Sequence, residues 1–431
     1  MESWLIRDVT VVTMDDARRI LPNVDIAIEG ADISGIWPTG QAPALTGCQV
    51  IDASGMVAIP GFVNAHTHCA MTLMRGYADD MPLMPWLQER IWPFEMKLQE
   101  EDVYWGTLLG IAEMIRAGVT CFNDMYHYFE AAARAVIDSG IRGVVSGVLL
   151  GFLPNADGLL DKAIAFAKEW KHRGDGRLVT MLGPHAPYTV ADALLARVID
   201  GAREAGVGIH IHVSETRSEV EDSVRQFGRT PVQRLNEIGL FDVRPVAAAH
   251  CVHLTDDDIA TLAEKRVGIA HCPGSNMKLS SGVAPVPKLL KAGAIVGLGT
   301  DGPASNNNLD MLEEARLAAL LHKLEGNDPT LVPAYDALEM ATRGSARALG
   351  IDDRVGQIRP GMKADIALVD FDQPHLFPRH DVISHLVYAA RAGDVCTVFI
   401  HGKPVMRDRK LLTLDEGEIF RQVGERLERW A

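Results

Sequence analysis

The sequence has little cysteine for its length. Six stand in 431 residues, at Cys48, Cys69, Cys121, Cys251, Cys272 and Cys396, and no two form a C-x-x-C pair. A chain this long needs no disulfide staples, so reduced thiols in a cytoplasmic protein are expected. No run of 18 apolar residues occurs, so no membrane partner is expected. The opening stretch MESWLIRDVTVVTMDD lacks a basic region followed by a long apolar one, and no secretory signal is expected. There is also no basic patch. The formal net charge of −15 repels phosphate backbones, which argues against nucleic acid as a partner. What remains is ordinary globular material, 47% hydrophobic and 23% charged, which excludes a disordered or fibrous chain. The length suits one large core with a smaller module, or two to three ordinary domains.

The two ends of the chain read alike. WLIRDVTVVTM, VDIAIEGADISGIWP and CQVIDASGMVAIP near the start, and GQIRPGMKADIALVD and DVCTVFIHGKPVMRD near the end, alternate apolar and polar residues and are broken by Gly and Pro. These are short strands. An amphipathic helix is expected through DEGEIFRQVGERLERW. The middle differs. Eight strand-like runs (GFVNAHTH, GVTCFNDM, IRGVVSGVLL, LVTMLGPHA, GVGIHIHVSE, PVAAAHCV, RVGIAHCP and AIVGLGTDG) alternate with helical patterns such as EDVYWGTLLGIAEMIRAG. That alternation predicts an α/β fold, a (β/α)8 TIM barrel over 60–355. The flanking strands, 1–59 plus 356–431, then form a small β-sandwich domain built from both termini, with the C-terminal helix.

Chemically capable side chains gather at the C-terminal ends of the barrel runs: His66 and His68, Asp124, His185, His212, His250, His271 and Asp301. Barrel enzymes carry their sites at that face. His66 and His68 are two apart, so on a strand they point the same way, as a divalent metal requires. Asp301 closes the eighth strand, which neighbours the first in a closed barrel. It can therefore reach that metal or its water, although alone it would read as a turn aspartate. In GIHIHVSE, His210 and His212 share a face. His212 is nearer the strand end and is the better ligand, while His210 reads as a hydrogen-bonded residue of the barrel interior. Glu215 lies beyond the strand, over the site, where proton transfer is the useful function. His66, His68, His212 and Asp301 make four ligands, which leaves His250 to hold the water or a developing oxyanion. The fourth strand ends in His185 rather than lysine, so a carbamylated lysine bridging two metals is not available. One divalent metal is expected, with Zn2+ first and Fe2+ or Mn2+ as the alternatives at a His/Asp site.

PGFVNAHTH, HVSE, AAHC and GTDG, together with the small β-domain, resemble the amidohydrolase superfamily of metal-dependent hydrolases over essentially the whole chain. Three further stretches, MRGYADDMPLMPWLQERIWPFE, GPHAPYT and TDGPASNNNLDM, resemble the deaminases of 5′-methylthioadenosine and S-adenosylhomocysteine. HCPGSNMKLSSG is also similar, although the commoner pattern has Asn at the Cys272 position. The resemblance implies metal ligation by His66, His68, His212 and Asp301. It implies a proton shuttle at Glu215, with His250 orienting water or oxyanion and Asp301 accepting the water proton. It further implies that Glu95 takes the ribose hydroxyls, that His185 faces the purine or ribose, and that Trp86 and Ser305 line the pocket. Relatives that accept a homocysteinyl carboxylate can carry arginines after the third strand. Here that stretch is VSGVLLGFLPNADG, which suits a methylthio group better.

Hydrolytic deamination of an adenosine derivative to the inosine-type product and ammonia is therefore expected. 5′-Methylthioadenosine is preferred over S-adenosylhomocysteine and adenosine. Two rivals stand beside it. One is a deaminase or chlorohydrolase acting on a free base of guanine, 8-oxoguanine, pterin or triazine type. The other is a non-catalytic scaffold, which the full ligand set disfavours. By analogy with relatives the chain could be a homodimer or homotetramer.

Overall fold

The computed structural model describes residues 3–44 and 47–430. Residues 1, 2, 45, 46 and 431, which the terminal domain was expected to include, lie outside that description. Strands β1 (Ser3–Val12), β2 (Ile20–Glu29), β3 (Asp32–Pro38), β4 (Gln49–Asp52) and β5 (Met56–Pro60) precede the barrel. The barrel strands are β6 (Phe62–Thr67), β7 (Val119–Tyr126), β8 (Arg142–Leu149), β9 (Leu178–Pro184), β10 (Gly208–Val213), β11 (Val246–His250), β12 (Gly268–His271) and β13 (Ile295–Leu298). After it come β14 (Ile366–Asp370), β15 (Val395–Ile400), β16 (Lys403–Arg407) and β17 (Lys410–Leu411).

The eight barrel strands run parallel, each paired with its neighbour in sequence. Helices cover their outer faces, so these strands are buried throughout, and all eight residues of β7 are inaccessible. This is why they read as apolar runs rather than as alternations. The seam between β6 and β13 is closed by other means than a full ladder. The Asn64 side chain accepts from the Thr300 N–H at 3.1 Å and donates to the Thr300 hydroxyl at 2.7 Å. One backbone bond follows, Asp301 N–H to His66 C=O at 3.0 Å. Gly299 permits this approach: a Cβ there would stand 2.8 Å from the His66 nitrogen. The seam thus brings His66 and Asp301 together.

The strands from both termini join in one nine-stranded mixed sheet, ordered β17-β16-β15-β14-β5-β1-β2-β3 with β4 beside β1. Ile6, Ile26, Ile28, Leu368 and Phe399 pack on its inner face with Ile358 and Met362. A buried, two-pronged ion pair ties this sheet to the barrel: Arg142 Nε and Nη2 donate to Asp365 at 2.9 and 3.0 Å. The helix Glu416–Leu427 packs instead on the barrel helix Glu100–Arg116, where Arg426 and Arg429 engage the buried Asp102. Just beyond it, Trp430 packs edge-on to Phe94 at 4.8 Å. No helix among the described residues is long and apolar enough to cross a membrane. All six cysteines are free thiols.

Candidate active site

Strand ends on the C-terminal face of the barrel converge on one point. His66 Nε2 and His68 Nε2 lie 3.2 and 3.3 Å from Asp301 Oδ1, and His68 Nε2 lies 3.2 Å from His212 Nε2. The candidate ligand atoms of His66, His68, His212 and Asp301 fall within 4.8 Å of one another. Several residues at this face hold left-handed backbone: Ser214 (φ 53°), His250 (φ 69°), Cys251 (φ 50°) and Asp301 (φ 60°). Side chains that large adopt such angles only where the surrounding structure enforces them.

Hydrogen bonds behind the imidazoles fix where their protons sit. His68 Nδ1 donates to the Met125 carbonyl at 2.7 Å, and His212 Nδ1 to the His185 carbonyl at 2.7 Å. The His66 proton is placed through two further side chains, Ser146 and His210. The Ser146 hydroxyl gives its proton to the Asp124 carbonyl at 2.8 Å. It must therefore accept from His210 Nδ1 at 3.2 Å. His210 Nε2 is then bare and accepts from His66 Nδ1 at 2.8 Å. All three Nε2 atoms consequently carry lone pairs, assigned from the network, and they face a carboxylate oxygen with no proton between them. His66 Nε2 is buried and has no hydrogen-bond partner. Burial lowers the His66 pKa to about 4 and holds those of His210 and His212 well below the ordinary histidine value. Four acceptors aimed at one point suit a divalent cation, and three nitrogens with one oxygen suit zinc.

The other oxygen of Asp301 is engaged separately. Oδ2 accepts from Ser275 at 2.6 Å and Ser305 at 2.8 Å, so the carboxylate cannot turn. Glu215 is buried beside the cluster. One oxygen accepts from the Ser281 hydroxyl at 3.2 Å, and the other lies 3.8 Å from His250 Nε2. Burial raises the Glu215 pKa, and His250 offsets part of that rise. Burial alone would lower the His250 pKa, but the carboxylates of Glu215 and Asp301 outweigh it and raise it. His250 Nδ1 donates to Asn276 Oδ1 at 2.9 Å, which aims Nε2 at the cavity.

The cavity runs from this cluster to Glu95. His68, His212, Glu215, His250, Asp301, Trp86, Glu95, His185 and Ser305 all border it, alongside Leu83, Ile91 and Leu279. His66 is the one expected site residue outside its lining; it supports from below. His185 Nδ1 is bonded to Thr189 at 3.0 Å, and its ring lies 4.7 Å from that of His212. Glu95 sits on the short helix Trp92–Glu95, whose Phe94 rests on Trp430. His127 Nε2 is 3.6 Å from Glu95. Trp86 is anchored by its indole N–H to the Ala78 carbonyl at 3.0 Å.

Two strand-end residues do other work. Asp124 accepts from the Cys69 N–H at 2.7 Å and steadies the segment after His68. His271 faces His322 at 3.2 Å, away from the cavity. Conversely, His127, Ser146, Ser275, Asn276 and Ser281 support the site but carried no expectation. Ser275 and Asn276 sit in HCPGSNMKLSSG, a stretch whose similarity was already visible.

The amidohydrolase family model matches residues 57–405. The chain belongs to the amidohydrolase family. This amidohydrolase is 54% identical over 427 residues to a 5-methylthioadenosine/S-adenosylhomocysteine deaminase of Pelotomaculum thermopropionicum, covering 99% of this chain and 98% of the relative. The crystal structure of an adenosine deaminase from Xanthomonas campestris with bound zinc matches at a TM-score of 0.95 and 39% identity, covering 99% of this chain and 98% of that one. Atrazine chlorohydrolase TrzN from Arthrobacter aurescens, complexed with zinc, matches at a TM-score of 0.90 and 26% identity, covering 98% of this chain and 99% of that one. This amidohydrolase therefore shares its scaffold both with deaminases and with a chlorohydrolase, and the cavity must discriminate between them.

Proposed function

We propose that this amidohydrolase removes the 6-amino group of an adenosine derivative, converting it with water to the inosine-type product and ammonia. The observation that carries the reading is a buried carboxylic acid, Glu215, beside the four-ligand cluster, with a second carboxylate, Glu95, at the far end of the same cavity. The near full-length similarity to the Pelotomaculum deaminase supports it.

His66, His68, His212 and Asp301 would hold one divalent ion, zinc by the donor set, which supplies a Lewis acid that makes water nucleophilic near neutral pH. Asp301 would take the proton released by the attacking water through Oδ1, the oxygen that faces the cluster, while two serines hold Oδ2. His250 Nε2 steadies the attacking oxygen. Glu215 gives a proton to the ring nitrogen next to C6, which makes that carbon electrophilic, and burial favours its protonated form. Glu95 takes the ribose hydroxyls with His127 behind it. His185 and Trp86 bound the purine. Ser305 spends its hydroxyl on Asp301 and acts by fixing that carboxylate.

A second chamber shares Trp92, Glu95, His127 and Leu150 with this cavity and is lined further by Phe152, Leu153 and Leu159. Its one cation, Lys162, pairs with Glu130 at 2.7 Å. This supports preference for an uncharged 5′-methylthio group over a homocysteinyl carboxylate. A panel of adenosine derivatives followed by loss of the adenine absorbance tests the reading. The expected order of kcat/KM is 5′-methylthioadenosine above S-adenosylhomocysteine and adenosine. Activity confined to guanine, pterin or triazine substrates, unaffected by Glu95→Ala, would instead support the free-base alternative to which the chlorohydrolase scaffold lends weight. Elemental analysis of the purified protein tests for one zinc per chain. The same reading takes 60–355 as the catalytic barrel and 1–59 with 356–431 as its companion domain. Limited proteolysis tests those bounds by where it cuts first.

A further inference from the structure

Glu219 stands four residues beyond Glu215, in the first turn of the helix Arg217–Phe227. Thr216-x-x-Glu219 is the pattern of a capping box, in which the glutamate reaches back to the N–H of the capping threonine. Thr216 does its part and accepts the Glu219 N–H at 3.2 Å. Glu219 does not. Its carboxylate reaches further back, where one oxygen accepts the Ser214 N–H at 2.8 Å and the other the Glu215 N–H at 2.7 Å. Helix capping does not require this, and it buries a carboxylate to 8% exposure, which is costly unless the bonds serve a purpose.

The turn so gripped is strained, with Ser214 at φ 53°. Its opposite side is held by the next strand's loop: the Val252 and His253 N–H groups donate to the Ser214 carbonyl at 3.1 and 2.9 Å, and the Cys251 N–H to the Val213 carbonyl at 3.0 Å. Two clamps therefore hold residues 213–215, and from that fixed peptide the Glu215 side chain projects toward His250 and Ser281. We propose that Glu219 is the positioning residue of the proton shuttle: it fixes the strained turn that aims Glu215 at the substrate ring, and it touches no reacting atom itself. The inference rests on the deaminase reading and names a residue that reading does not use.

The test is a double-mutant cycle with 5′-methylthioadenosine. Glu219→Gln places an amide N–H₂ against one of the two N–H donors. Glu219→Asp keeps the charge but is too short to reach both. Each is expected to lower kcat by roughly 10- to 100-fold, the cost of losing charged hydrogen bonds at this place, with bound metal unchanged and KM within about threefold. The deciding measurement is Glu219→Gln in a Glu215→Gln background, where no further loss in kcat is expected, because a shuttle that no longer works need not be aimed. An equal fractional loss in both backgrounds overturns the proposal in favour of a general structural role. So does a lowered melting temperature with kcat intact. The wild-type rate in the same assay reports separately on the deaminase reading.

Discussion

His210 contributes no ligand, yet its removal should weaken metal binding measurably. Its Nε2 is the sole acceptor shown for the His66 Nδ1 proton, at 2.8 Å and fully buried. His210→Ala strands that N–H in a dry interior, which costs about 1–3 kcal/mol. It also frees the His66 proton to move to Nε2, the ligand atom. An outer partner of a metal-binding histidine typically accounts for about 10- to 100-fold in affinity, and the two figures agree. Apo protein titrated with zinc against a chromophoric chelator measures the change. Ser146→Ala, which leaves His210 in place but loses its proton acceptor, should weaken binding by less than about tenfold on the same argument. His210→Gln returns an acceptor oxygen and should recover part of the loss. Unchanged zinc affinity in His210→Ala, or no recovery in His210→Gln, refutes the tautomer argument.

Other consequences are equally open to measurement. Glu215→Gln should retain its metal by elemental analysis yet lose on the order of 10²-fold or more in kcat, and near wild-type turnover would remove Glu215 from the chemistry. Glu314, buried and bonded to Gly274 N–H and Asn306, has its pKa raised by burial to about 8. The folded state holds that proton where the unfolded chain has released it, so the stabilisation is full at low pH and is lost as pH rises toward 8. The melting temperature of Glu314→Gln relative to wild type should therefore climb between pH 5 and 8, whereas parallel curves would show that Glu314 is ionised throughout. Asp365→Ala leaves the buried Arg142 guanidinium unpaired and should cost about 3–5 kcal/mol in denaturant unfolding; a loss below about 1 kcal/mol would mean water reaches the guanidinium.

Much of the site was legible because a parallel barrel concentrates chemistry at one end of its strands. His66, His68, His212 and Asp301 could be assembled from strand-end positions alone, since strand adjacency follows chain order in this fold. The same rule overreached at Asp124 and His271, whose positions are equivalent but whose side chains turn to the Cys69 amide and to His322. Strand register cannot distinguish a side chain aimed into the cavity from one bonded beside it. The supporting contacts were least legible. Ser275, on the short helix after β12, and Ser305, in the turn after β13, meet on Asp301 because those two strands pair side by side, and no residue pattern in either stretch announces the contact. Glu219 was hidden for another reason. Its local pattern already had a satisfactory explanation as a capping box, and nothing in the sequence reveals that the carboxylate passes over Thr216 to the turn beyond.

The Phe94–Trp430 contact places the backing of the substrate wall very late in biosynthesis. Asp301, the last of the four candidate metal ligands in the chain, precedes Trp430 by 129 positions. At roughly 5–20 residues per second the ribosome needs on the order of 6–26 s to cover that distance. Through that interval a growing chain can have made every metal ligand while the helix bearing Glu95 still lacks the ring it rests on. The candidate metal ligands and the wall that carries Glu95 are thus completed at different times in synthesis.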